Sequence, residues 1–200
     1  IKLVKYPIAE LNRLRGEPLF EIQNTAVDER TENLLDGVHA TVADITANIV
    51  LNGAKKAGFI VRKGNGLEMS VYYDLTRQVL VVDKTKLDER TSKGVIETEM
   101  HPLDGNRIEL RILLDNICFD VFGNGEAAVS GQLFSSLEND AIEFFADGDA
   151  YIENITVYKM NPMIHKLVYP VQLDDLVLDT EQFVFSPDVF SYSVSVPKEI

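Results

Sequence analysis

The chain has no tryptophan, one cysteine and only three histidines in 200 residues. A single cysteine excludes an intrachain disulfide, so the fold must be held by its core. His39, His101 and His165 lie far apart with no ligand spacing among them, which argues against zinc. Asp147-Gly148-Asp149 lacks the remaining positions of a calcium loop and reads as a tight turn. Ser130, Ser135 and Ser136 sit in no nucleophile-elbow context, so a hydrolase triad is not supported, and no cofactor is expected. No apolar run reaches the roughly 18 residues of a membrane span. Ile1 is no signal-peptide start, and the absent initiator methionine reads as a fragment of a longer chain. Basic residues are scarce, 19 against 32 acidic, for a net charge of −13. That balance argues against nucleic acid and against attachment to anionic membranes.

Apolar residues are plentiful, and their pattern is that of strands. The segment 110–122, LRILLDNICFDVF, followed by the turn Gly123-Asn124-Gly125, reads as two strands folded back at Asp115-Asn116. That register sets Leu114 opposite Ile117, Ile112 opposite Phe119 and Leu110 opposite Val121, with all six on one face. Arg111 then stands opposite Asp120 as an ion pair, and Cys118 is a small buried hydrophobe. Other short alternating runs, broken by Gly, Asn and Asp, predict strands near 19–27, 38–50, 57–62, 67–74, 78–83, 95–100, 127–134, 141–146 and 150–159. Residues 8–15, IAELNRLR, carry apolar positions at helical spacing after Pro7 and predict one helical turn or strap. Segment 28–37 is a loop or short helix, and 83–93 a charged, solvated connector. The expected class is all-β: a two-sheet antiparallel sandwich of the lectin-like jelly-roll kind with about eleven strands.

Several of these blocks also resemble a known family. The hairpin is similar to the RIFVDxSSVEVF-like strand pair in the C-terminal sandwich of glycoside hydrolase family 32. GFIVR at 58–62, EMSVYYD at 68–74 and VLVVDKT at 79–85 look like that family's GLVLR, ETxIGYD and LFLDRS blocks. IEFFADG at 142–148 and AYIENITVYKM at 150–160 resemble its closing strands. YPIAELNRLRG at 6–16 is similar to the strap leading out of its catalytic propeller. Asn116, Ile117, Cys118 and Asp120 depart from the pattern, as do Lys84 and Thr85. The resemblance implies a non-catalytic sandwich that partners an N-terminal five-bladed propeller. The propeller's motifs, WMNDPNG-like, RDP and EC, are absent, so the two-carboxylate mechanism cannot be assembled by matching. The expected layout is a strap at 1–16, a sandwich at 17–160, and a linker with a partial module at 161–200. Residues 173–197 resemble the start of a cadherin-like module, which implies a secreted bacterial parent and a tail that packs on the main domain or a second copy.

Neutral sugars remain compatible with the charge. A sugar site on a sandwich joins an aromatic platform to polar forks. The candidates are Tyr72 and Tyr73, one facing in and the other out, with Asp74, Arg62 and Asp83 beside them. Ion pairing, turn capping and core packing are the commoner account of the same residues. Three functions are therefore carried forward: a structural companion of a fructan- or sucrose-hydrolysing propeller, a fructan-binding module, and a laminin-G-like adhesion module.

Overall fold

The structure is a computed structural model that describes residues 3–162. One sheet has six strands: β1 (Arg15–Val27), β2 (Val42–Leu51), β7 (Arg107–Asp115), β8 (Cys118–Gly123), β9 (Ala127–Gln132) and β11 (Ala150–Met160). The other has five: β3 (Lys56–Gly64), β4 (Leu67–Asp74), β5 (Val79–Asp83), β6 (Val95–Glu99) and β10 (Ala141–Ala146). The first sheet runs in the order β1-β11-β2-β7-β8-β9, the second β10-β3-β4-β5-β6, and neighbours pair antiparallel throughout. The expected strap is a short 3-10 helix, Ala9–Leu14, and every expected strand is present. β2 starts at Val42 rather than at residue 38, and His39 instead makes an isolated bridge to Ala141.

Alternation explains the packing. In β7 the residues Ile108, Ile112 and Leu114 point inward and are buried, while Arg107 and Arg111 point outward. Ile45 and Ile49 of β2, Phe59 and Val61 of β3, and Met69 and Val71 of β4 complete the shared core. Full burial of such a side chain contributes about 1.5–3 kcal/mol, which is what holds a disulfide-free sandwich together.

The hairpin register differs from the expected one. Leu114 lies opposite Phe119, Ile112 opposite Val121 and Leu110 opposite Gly123. The two loop residues are Asn116 and Ile117, not Asp115 and Asn116. A two-residue hairpin loop needs positive φ at its first position, and asparagine tolerates that better than most residues. Asn116 takes it, with φ 45°. Three corrections follow. Ile117 leaves the core face and is 49% exposed. Cys118, next to inward Phe119, points outward and is exposed. Arg111 faces Phe122 instead of Asp120, whose carboxylate takes the Ser130 hydroxyl as donor.

The sandwich begins and ends at one corner. Arg15 is opposite Met160, and the Asn161 N–H donates to the Leu14 carbonyl at 2.7 Å. The cadherin-like resemblance at 173–197 lies outside the described residues, as does the tail-mediated contact expected from it.

Candidate functional site

The most organised polar group lies on the outer face of the six-stranded sheet, where the strap crosses it. Strand alternation turns Asp44 of β2 outward, yet the carboxylate is fully buried. Arg111, on the adjacent strand, donates from Nε to Oδ1 at 3.0 Å and from Nη2 to Oδ2 at 2.7 Å. Arg15, where the strap enters β1, donates from Nε to Oδ2 at 2.7 Å, and its guanidinium lies 4.4 Å from the Tyr158 ring centroid. Arg111 Nη2 also donates to Asn12 Oδ1 at 2.9 Å, which ties the strap helix to the sheet. A buried carboxylate is tolerated only when its oxygens are this fully engaged.

The other end of the strap is fixed at the turn after β8. Lys5 N–H donates to the Gly125 carbonyl at 2.9 Å, and the Tyr6 ring rests on Gly125. Gly125 has φ 62°, and a Cβ there would fall 2.5 Å from the Tyr6 ring, so both backbone and contact require glycine. Asn124, with φ 50°, holds the turn by accepting from Glu109 N–H at 2.7 Å and donating to the His101 carbonyl at 2.6 Å. Between strap and sheet lies a cleft of about 290 Å³. Leu3, Val4, Tyr6 and Ile8 remain exposed along the strap.

The five residues singled out from sequence all lie on strands of the second sheet, yet they do not converge on one site. Arg62 is a correction: it is fully buried, out of reach of a sugar. Its φ of 57° falls where the β3–β4 register slips between Val61 and Gly64, and that bulge turns the side chain inward. Its Nη2 donates to the carbonyls of Ser135 and Ser136, while Nε and Nη1 have no partner among the described residues. Burial lowers its pKa, and Asp140 offsets this only in part.

Tyr73 is the inward member of the tyrosine pair and is fully buried. Burial, then the charges of Asp74 and Glu126, push its phenol up to about 12. Asp74 is buried in a bridge to Arg77, whose Nε donates to it at 3.0 Å. Asp83 caps a turn by accepting from Thr85 N–H and hydroxyl at 2.8 and 2.6 Å. Tyr72 alone presents a half-exposed ring, set edge-on to Phe145 at 5.9 Å with Lys56 Nζ 5.6 Å from its centroid. Sequence reasoning missed Asp44, whose one signal is a carboxylate in the middle of an apolar strand. Among the described residues no group of three His, Cys, Asp or Glu could hold a metal ion.

A two-sheet sandwich with a strap clamped across its outer face is the class that this geometry defines. Residues 10–159 match the family described as Glycosyl hydrolases family 32 C terminal, and the chain belongs to it. A levanase of Bacillus sp. (strain L7) is 29% identical over 93% of this chain, which spans about a fifth (21%) of that protein's length. A fructan beta-fructosidase of Streptococcus mutans is 28% identical over 52% of this chain and 8% of its own. Among solved structures, the exo-inulinase of Aspergillus awamori superposes with a TM-score of 0.67 at 18% identity, covering 78% of this chain and 32% of that one. The sucrose-6-phosphate hydrolase of Lactobacillus gasseri gives 0.60 at 14% identity, covering 80% and 31%. At such identities the superpositions speak for the fold alone.

Proposed function

We propose that this sandwich is the non-catalytic companion of a β-fructosyl-hydrolysing propeller in a longer chain, and that it docks through its strapped face. The observation that carries the reading is the double anchorage of the strap, by Asp44 at one end and Gly125 at the other, with Leu3, Val4, Tyr6 and Ile8 left facing out. A fixed row of exposed apolar side chains marks a contact surface. Matches to a levanase and a fructan beta-fructosidase, each far longer than this chain, support a fructan-hydrolysing parent. The secreted location suggested by the tail's resemblance is proposed with it.

The test joins the chain to a family 32 propeller and compares melting of the fusion with that of the propeller alone. The sandwich should raise the propeller's melting temperature, and replacing Leu3, Val4 and Ile8 with serine should remove most of the gain. The isolated chain should turn over no sucrose, levan or inulin. Turnover by the chain alone, or a gain untouched by the serines, sinks the reading.

A further inference from the structure

The cleft beside the strap has a chemistry of its own, beyond any docking role. Its floor is two rows of outward residues on β2 and β7: Thr46 beside Arg111, and Asn48 beside Glu109. Tyr6 on the strap and Phe122 on β8 contribute aromatic rings to its lining.

The hydrogen-bonding inventory is mixed and in part uncommitted. Arg15 gives its Nε to Asp44, and Arg111 gives its Nε and Nη2 to Asp44 and Asn12. Among the described residues, the Glu109 carboxylate and the Thr46 hydroxyl are engaged by no other side chain. Asn48 donates to Asn154 Oδ1 at 3.3 Å, which leaves its own carbonyl to accept. Asn12 accepts from Arg111, which leaves its NH₂ to donate. Acceptors at Glu109 and Asn48, a donor at Asn12 and a rotating hydroxyl at Thr46 suit a ligand whose groups both give and take hydrogen bonds.

Charge narrows the class. The guanidiniums of Arg15 and Arg111 are balanced by the carboxylates of Asp44 and Glu109, so the cleft offers nothing extra to an anion or a cation. Aromatic walls, balanced charge and hydroxyl-matching groups together fit a neutral sugar ring, whose C–H faces pack on aromatics while its hydroxyls bond to polar forks. The volume of about 290 Å³ accommodates a short sugar rather than a buried polymer.

We infer that this cleft is a subsite for a neutral saccharide, with Glu109 accepting hydroxyl protons, Asn12, Thr46 and Asn48 completing the polar frame, and Tyr6 packing on the ring. The site is separate from the Tyr72 face. It is assembled within this chain alone, so it can be tested without the propeller; it shares Tyr6 with the docking row, but the serine substitutions at Leu3, Val4 and Ile8 leave its lining untouched, which keeps the two readings separable.

The experiment is titration of the whole 200-residue chain with D-fructose, sucrose and short levan and inulin oligosaccharides, followed by calorimetry and amide NMR. Saturable binding that shifts the amides of Thr46, Asn48 and Glu109 is expected. Tyr6→Ala and Glu109→Ala should each weaken it by about tenfold or more, the loss of one charge-assisted bond or one packed ring. Tyr72→Ala should leave it unchanged. Thr46→Val, which keeps the side chain's shape on the sheet floor and leaves both strap anchors intact, should weaken binding as well and keeps the test sound if Glu109→Ala folds poorly or Tyr6→Ala frees the strap. Absence of saturable binding across the panel overturns the inference. So do shifts confined to Tyr72 and Phe145, or binding that survives loss of Tyr6.

Discussion

Arg111 grips both oxygens of Asp44 from the neighbouring strand, at 3.0 and 2.7 Å, and so makes one carboxylate the junction between sheet and strap. Asp44→Ala leaves Arg15 and Arg111 facing each other across an empty position. Removing one member of a buried charge network costs about 3–5 kcal/mol. For a domain of this size that lowers Tm by roughly 10 °C. Scanning calorimetry checks it, and Asp44→Asn, which keeps the shape and half the acceptors, should fall in between.

Gly125→Val tests the other anchor. The new side chain would occupy the place of the Tyr6 ring, at a φ of 62° that a branched residue resists. The strap should detach while the sandwich core stays folded. Limited trypsin digestion should then cut after Lys5 in the variant well before it cuts the same bond in the unsubstituted chain.

Tyr73 is buried with a hydroxyl that has no partner among the described residues. An unpaired buried hydroxyl costs folding energy, so Tyr73→Phe should leave stability equal or raise it by about 1 kcal/mol. The phenol is neutral in the fold up to about 12, against 10.0 for a free tyrosine. A raised folded value means that this contribution is complete below pH 10 and is lost as pH rises from 10 towards 12. Urea melts across that range should show a decline that Tyr73→Phe makes shallower.

Asp74 sets the acid side. Burial pushes its carboxyl up, but the hydrogen bonds from Arg77, with the charges of Arg77 and Lys56, prevail and hold it below the ordinary 3.8. A lowered folded value contributes stability above the ordinary value and loses it as pH falls through the folded one. Melting temperature should therefore drop below pH 3.8, and Asp74→Asn should flatten that drop while lowering stability at neutral pH.

The strands are legible because alternation and turn residues are local signals: the pattern predicts a strand over 67–74, and β4 spans Leu67–Asp74. The hairpin register is not, because Asp115 and Asn116 both suit a turn. Only the demand for positive φ at one of them separates the two pairings. Arg62 was misplaced for a related reason, since a bulge reverses the facing that simple alternation assigns. Alternation alone leaves open which of Tyr72 and Tyr73 faces in, and the core settles the choice by burying Tyr73. Asp44 escaped notice because its partners, Arg15 and Arg111, lie 29 and 67 residues away, a distance that strand pairing closes and sequence pattern does not.

The pairing of β1 with β11 has a consequence for ancestry. Entry and exit of the sandwich are separated by a single hydrogen bond, from Asn161 to Leu14. A unit whose ends meet can be inserted, duplicated or circularly permuted with little loop-closure penalty, because host segments need not span its diameter. Such a unit can be moved as a cassette, because a host gives up only one short gap between the points where the chain enters and leaves.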